Sequence, residues 1–143
     1  MLLDKLKNIL PNNNIESPVD FQKIIQNLYP TSDPDDKKVL FIWDAYNFSQ
    51  NAHIGQKRHS GKPYFTHCSS VGVTLSEWKM DYKTIAAGLL HDVIEDTNVS
   101  REEMIEKFGI EVTDLVDGVS NLSDIKFSSR MEKQAENFMK MFL

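Results

Sequence analysis

Residues 86–96 read AAGLLHDVIED, and this stretch decides how the rest of the chain is interpreted. Five small or apolar residues, suited to tight packing, lead directly into an imidazole and three carboxylates: His91, Asp92, Glu95 and Asp96. On one continuous helix, residues four apart share a line, so these four side chains would form one polar face. Acids this close repel one another unless a cation or a proton is present. The stretch predicts a helix with a metal-binding or catalytic face; the alternative is an exposed helix end that is acidic by chance.

Helical spacing of apolar residues extends along nearly the whole chain. Only 6 Gly and 5 Pro occur in 143 residues, and no convincing alternating strand pattern is present. Helix-start signals recur along the sequence, and in the first of them Ser17 is expected as N-cap and Pro18 as first helical residue. The other signals are Asp33–Asp36, Asp81, the Ser100/Glu103 capping box and the Ser129/Glu132 capping box. The pattern predicts an all-α fold of roughly eight helices.

Composition excludes several classes of protein. The 16 basic and 21 acidic residues give a net charge of −5, which argues against a basic nucleic-acid binder. Cys68 is the single cysteine, so an internal disulfide and a cysteine-cage zinc site are excluded. The apolar runs are too short for a membrane span, and charges interrupt the N-terminus where a signal peptide needs an apolar region. We therefore expect a cytoplasmic protein with no nucleic-acid or membrane partner.

His67 is the candidate partner for the acidic stretch. It shares an apolar helical stripe with Val71 and Leu75, where a lone histidine is more often a satisfied core residue. A metal site built on His91 and Asp92, however, needs a ligand from another helix, and His67 faces inward. Imidazole combined with carboxylate suits Mn²⁺, Fe or Zn²⁺.

Residues 55–62, GQKRHSGK, form the most basic stretch of the chain. Its charges suit phosphate, and an arginine such as Arg58 can also stack on a base. It is not a P-loop, because five residues separate its two glycines and Pro63 follows Lys62. A solvated loop is the alternative, and the flanking His53 and His59 could equally be solvated.

Two motifs together identify a family resemblance. The run from His53 to His67, with the pattern HxGQxRxSGxPYxxH, and residues 89–97, LLHDVIEDT, resemble the hydrolase domain of the RelA/SpoT homologues. The resemblance implies an HD-type helical bundle. On this basis we expect residues 1–143 to form one domain. Residues 1–32 would be a helical lead-in, and residues 33–143 would be the family-matching part, incomplete at its C-terminus.

The resemblance implies a Mn²⁺-dependent 3′-pyrophosphohydrolase of the stringent response, which converts (p)ppGpp to GDP or GTP and pyrophosphate. By motif it assigns eight residues: His67, His91 and Asp92 as metal ligands, Glu95 and Asp96 as the groups that orient or activate water, and Arg58, His59 and Ser60 as nucleotide-binding residues. Two other functions stay open: an HD phosphohydrolase acting on another nucleotide, and a non-catalytic regulatory module of a (p)ppGpp synthetase.

The sequence also departs from the family pattern. Cys68 stands where the family has Pro, and Ser120-Asn121 stands where it has Thr-Lys. The family takes its last metal-ligand Asp from an Ala-Asp-Arg-Leu-His-Asn segment that does not occur in this sequence. We therefore expect a C-terminally truncated fragment with weak metal binding and little turnover. Its last helix, ending on uncapped Phe142 and Leu143, would favour self-association.

Overall fold

A computed structural model describes residues 2–11 and 18–126 of the chain, and this part is helical. Its eight helices are α1 (Leu2–Ile9), α2 (Val19–Leu28), α3 (Asp36–Ala52), α4 (Phe65–Glu77), α5 (Tyr82–Leu90), α6 (Val93–Asp96), α7 (Arg101–Phe108) and α8 (Ile110–Lys126). The only strand-like pairing among the described residues is an isolated bridge between Lys57 and Pro63. The predicted all-α class is therefore confirmed. The Ser129/Glu132 capping box and the final apolar stripe lie outside the described residues, as does Ser17.

Side-chain caps begin three of these helices, because each accepts a hydrogen bond from a backbone N–H that the first turn leaves unpaired. Asp35 accepts from the Lys38 amide at 3.1 Å, and Asp81 accepts from the Thr84 amide at 3.2 Å. Ser100 accepts from the Glu103 amide at 3.1 Å. The starts predicted at Asp81 and Ser100 are thus confirmed.

The expected place of Pro18 inside the first turn of α2 is wrong by one residue. Pro18 occupies the N-cap position, with the extended ψ of 149°, and α2 begins at Val19. Its carbonyl still accepts from the Gln22 amide at 3.0 Å, as an N-cap carbonyl does.

Helix α5 is the centre of the fold, and it packs against α3, α4 and α8. Every residue from Thr84 to Leu90 is buried. Two glycines allow α4 and α5 to approach closely: a Cβ at Gly88 would lie 2.4 Å from Leu75 Cδ1, and one at Gly72 would lie 2.6 Å from Leu89 Cδ2. This close crossing sets the distance between side chains of α4 and those at the C-terminal end of α5.

The continuous helix expected through His91 and Asp92 is interrupted there. Helix α5 ends at Leu90, His91 and Asp92 form a turn, and the four-residue α6 begins at Val93. The Gly88 carbonyl accepts a hydrogen bond from the His91 ring at 2.6 Å, so a side chain reaches back to the backbone where the helix stops. The single polar face predicted for His91, Asp92, Glu95 and Asp96 is divided in the structure, because His91 and Asp92 are buried whereas Glu95 and Asp96 are exposed.

Candidate metal centre and nucleotide loop

The structure brings His67, His91 and Asp92 to one point. Each offers a ligand atom, and these atoms all lie within 4.8 Å of one another. Asp92 Oδ2 is 2.9 Å from His91 Nε2 and 3.7 Å from His67 Nε2. The convergence expected of these three residues is therefore observed, and their role as metal ligands stays a prediction.

The hydrogen bonding of His91 favours a proton or a metal ion between His91 and Asp92. The Gly88 carbonyl only accepts, so His91 Nδ1 carries the hydrogen of that bond. In a neutral ring, Nε2 would then turn its lone pair toward the Asp92 carboxylate 2.9 Å away, which is repulsive. A proton or a metal ion at Nε2 removes the conflict. Burial opposes the charged ring, but the Asp92 carboxylate and the Gly88 carbonyl raise the pKa of His91.

Asp92 is held by a further residue that sequence reasoning missed. The Tyr64 hydroxyl donates a hydrogen bond to Asp92 Oδ2 at 2.7 Å. Burial favours a neutral carboxyl at Asp92, but the bonds from His91 and Tyr64 outweigh it and lower the pKa of Asp92. Burial, followed by the Asp92 carboxylate, raises the pKa of the Tyr64 phenol, so it stays a donor. The sequence signal for Tyr64 was its position three residues before His67, which places both side chains on the same helical face.

The donor set fits a divalent cation. Burial, and after it the neighbouring His91, lowers the pKa of His67, which keeps that imidazole neutral and able to coordinate. Metal bonds to His nitrogen and carboxylate oxygen are about 2.0–2.2 Å, so ligand atoms around one ion lie about 3–4 Å apart. The two separations measured from Asp92 Oδ2 agree with that spacing.

The other two predicted acids lie beside this cluster and not in it. Glu95 and Asp96 are exposed on α6, whereas Asp92 is only 8% exposed. Both follow Asp92 within one turn, since the Asp96 amide donates to the Asp92 carbonyl at 2.9 Å. Their assigned role toward water stays a prediction.

The predicted nucleotide-binding residues, Arg58, His59 and Ser60, lie exposed on a tight turn between α3 and α4. The Arg58 amide donates to the Lys62 carbonyl at 2.9 Å, and the Gly61 amide donates to the Arg58 carbonyl at 2.8 Å. Gly61 has φ +87°, which favours glycine. The Tyr64 amide donates to the Gln56 carbonyl at 2.8 Å, and the Tyr64 hydroxyl donates to Asp92, so Tyr64 connects this turn to the candidate metal centre.

His53 is buried, which corrects the expectation that it could be solvated, whereas His59 is exposed. His53 is only 2% exposed, and its ring packs on Tyr64 with centroids 5.1 Å apart. Its Nδ1 lies 3.0 Å from Gln56 Oε1, and Gln56 Nε2 donates to the Asp96 carbonyl at 2.6 Å. His53 and Gln56 are therefore part of the structure that surrounds the site. In the sequence, their presence in the motif from His53 to His67 was the only indication of this.

Comparison with known proteins agrees with this geometry. The sequence model of the HD domain family matches residues 45–143. The chain belongs to the HD domain family. Hydrolases of this family depend on a metal, and the cluster of His67, His91 and Asp92 is the place in the described structure where one could bind. Among the described residues, no helix is both long enough and apolar enough to cross a membrane.

Curated relatives support the resemblance to the RelA/SpoT group. The chain is 45% identical over 119 residues to the bifunctional (p)ppGpp synthase/hydrolase SpoT of Escherichia coli K12, covering 83% of this chain and 17% of that protein. It is 50% identical over 99 residues to a guanosine-3′,5′-bis(diphosphate) 3′-pyrophosphohydrolase of Vibrio cholerae, covering 69% and 14%. It is 44% identical over 131 residues to a GTP pyrophosphokinase of Myxococcus xanthus, covering 90% and 17%. The chain thus spans less than a fifth of each of these relatives.

Proposed function

We propose that this domain is a (p)ppGpp 3′-pyrophosphohydrolase with Mn²⁺ as its metal, held by His67, His91 and Asp92. The observation that carries the proposal is the convergence of these three side chains, two of them buried, with Tyr64 connecting them to an exposed basic turn. The names of relatives such as those from Escherichia coli and Vibrio cholerae supply the substrate. A cytoplasmic location would suit such a nucleotide substrate.

The proposed reaction transfers the 3′ pyrophosphoryl group to water. Water attacks the phosphorus attached to the 3′ oxygen, the P–O3′ bond breaks, and the ribose oxygen takes a proton as pyrophosphate leaves. When bound, the divalent metal offsets phosphate charge and lowers the pKa of water. Glu95 and Asp96 orient that water and accept its proton, since a carboxylate within reach can act as general base.

The basic turn would bind the substrate. The guanidinium of Arg58 can form paired hydrogen bonds to phosphate or stack on guanine, whereas His59 and Ser60 can each donate a single bond. All three are exposed, so the nucleotide can reach them without any opening of the core. Tyr64 would hold the Asp92 carboxylate in place through its 2.7 Å hydrogen bond.

The test is release of pyrophosphate from (p)ppGpp by this chain with Mn²⁺. We expect release that chelation with EDTA abolishes, and none from GDP or GTP, which lack the 3′ diphosphate. The variant His91→Gln should lose the activity while keeping its helical circular dichroism. Because little turnover is expected of this chain by itself, the same assay is run on the chain extended through an Ala-Asp-Arg-Leu-His-Asn segment. If the extended chain binds Mn²⁺ yet releases no pyrophosphate from (p)ppGpp, the proposed activity is wrong.

A second candidate is a regulatory module that binds (p)ppGpp without cleaving it. The observation that favours it is the similarity to the Myxococcus xanthus protein named as a GTP pyrophosphokinase. Equilibrium binding of (p)ppGpp with no pyrophosphate release would favour this function. Release of pyrophosphate in the same assay would exclude it.

A further inference from the structure

Gln56 makes four hydrogen bonds to three separate parts of the chain. Its backbone N–H donates to the His53 carbonyl at 3.0 Å, and its own carbonyl accepts from the Tyr64 amide at 2.8 Å. Its side-chain Nε2 donates to the Asp96 carbonyl at 2.6 Å, and its Oε1 lies 3.0 Å from His53 Nδ1. One residue thus joins the end of α3, the start of α4 and the end of α6.

The chemistry of these partners fixes the orientation of the Gln56 amide. A backbone carbonyl only accepts, so the end of the amide that faces Asp96 is the NH₂ group. The amide oxygen therefore faces His53, and His53 Nδ1 must be the donor of that bond. His53 is buried and packed on Tyr64, so the amide is anchored on a side chain that has little freedom to move.

The hydrogen bond to Asp96 stabilises α6, which is too short to be stable by itself. It has four residues, and a helix of this length has almost no stability of its own. The carbonyl at its C-terminal residue would otherwise be one of the unpaired carbonyls of a helix end. The Gln56 amide supplies the donor from 40 residues away in the sequence and so holds the turn that carries Glu95 and Asp96.

We propose that Gln56 is a positioning residue, which holds α6 against the buried His53 and thereby sets the location of the Glu95 and Asp96 carboxylates. Its backbone bonds hold the basic turn, and these survive a change of side chain. The side chain therefore acts on α6; its hydrogen bonds go to His53 and Asp96 and to none of the three candidate metal ligands. For its kinetic consequence, this inference rests on the proposed function.

The direct test is hydrogen exchange in α6 of the 143-residue chain. The Asp96 amide donates to the Asp92 carbonyl and the Thr97 amide donates to the Val93 carbonyl, so both report closure of this turn. In Gln56→Glu, a carboxylate replaces the NH₂ group and repels the Asp96 carbonyl; in Gln56→Met, both polar ends are lost. We expect both variants to exchange these two amides about fivefold faster, as the loss of one net hydrogen bond implies.

Gln50→Glu is the matched control, because Gln50 is exposed on the last turns of α3 and gains the same charge. Its α6 exchange should equal that of the unmodified chain. In all variants, exchange in α5 should be unchanged, which shows that the core is intact. Unchanged α6 exchange in Gln56→Glu and Gln56→Met would overturn the assignment, and so would equal acceleration of α5 and α6.

Kinetics provide a second readout that a general loss of structure would not reproduce. In Gln56→Glu we expect kcat for pyrophosphate release to fall about 10-fold or more, because small displacements of reacting groups carry costs of this order. KM and the Kd for Mn²⁺ should change less than about threefold. An equal fall in Mn²⁺ affinity would contradict the proposal. If neither the unmodified chain nor the chain extended through an Ala-Asp-Arg-Leu-His-Asn segment hydrolyses (p)ppGpp, the proposed function fails, and α6 exchange alone decides the role of Gln56.

Discussion

The turn at His91 and Asp92 and the basic turn at residues 55–62 lie close together but are built in opposite ways. His91 is 2% exposed and directly follows α5, which packs against α3, α4 and α8. Arg58, His59 and Ser60 are exposed, and backbone hydrogen bonds fix their turn. A cation site gains from burial, because a low dielectric strengthens attraction between ligands and ion. A phosphate-binding turn needs access, so its geometry comes from the backbone instead of from the core.

Two residues in or beside the basic turn also contact the other region. Tyr64 follows the basic turn directly, yet its hydroxyl binds the Asp92 carboxylate. Gln56 lies within the basic turn, yet its side chain reaches the end of α6. The comparison therefore predicts that substitutions in the buried turn lower the affinity for Mn²⁺ or the free energy of unfolding. Substitutions in the exposed turn should raise the KM for the nucleotide. A substitution of Tyr64, which lies beside the exposed turn, should still lower the affinity for Mn²⁺.

The largest effect should come from Asp92→Asn. The neutral amide removes the one buried carboxylate of the cluster, so we expect the affinity for Mn²⁺ to fall about 100-fold or more, at least as much as the loss of an outer-shell partner. Isothermal titration calorimetry with Mn²⁺ measures this. Asp36→Asn makes the same chemical change at an exposed position in the first turn of α3 and should leave the affinity unchanged. If Asp92→Asn kept its affinity for Mn²⁺, the metal could not be bound at this turn.

Gly88→Ala tests the close packing under the buried turn. The added Cβ would meet Leu75 Cδ1 at 2.4 Å, and Leu75 is only 1% exposed, so it has little room to move aside. Overpacking of this kind destabilises the fold by about 1–3 kcal/mol, and the higher helix propensity of alanine offsets up to about 1 kcal/mol of that loss. We expect the free energy of unfolding in urea to fall by about 1–2 kcal/mol. Ser70→Ala, exposed on α4, should stay within about 0.5 kcal/mol.

Tyr64→Phe tests the residue that connects the two regions. It removes the hydroxyl donor to Asp92 and retains the ring that packs on His53. We expect the affinity for Mn²⁺ to fall about 10-fold, at the lower end of the losses seen for outer-shell partners. Tyr82→Phe, at the first residue of α5, is the control and should bind Mn²⁺ as the unmodified chain does. Equal affinities for Tyr64→Phe and Tyr82→Phe would show that the Asp92 carboxylate needs no such support.

The smallest effect should come from Arg58→Ala. Loss of one exposed, charge-assisted contact implies a rise in KM for (p)ppGpp of about fivefold, with the Kd for Mn²⁺ within about twofold. Lys23→Ala removes a positive charge from an exposed position on α2 and should change neither quantity. A loss of Mn²⁺ affinity in Arg58→Ala as large as that in Tyr64→Phe would show that the two regions do not act separately.

The sequence by itself determined the helical class, several helix starts and the candidate ligands. These depend on short-range rules: apolar spacing along a helix, a capping side chain three residues before its amide, and motifs that keep reactive residues at fixed separations. Asp81 and Ser100 were found in this way, and so were His91 and Asp92. That His67 faces the same point followed from its inward position on a different helix.

Only the tertiary structure decided where the helix breaks and which residues support the site. Where α5 ends, the His91 ring bonds to the Gly88 carbonyl, a contact that helical periodicity does not register. Tyr64 meets Asp92 across 28 residues of sequence, and Gln56 meets Asp96 across 40. Such contacts exist only after α4 and α5 have packed together, because their geometry comes from the distance between helices and not from the spacing of residues along one of them.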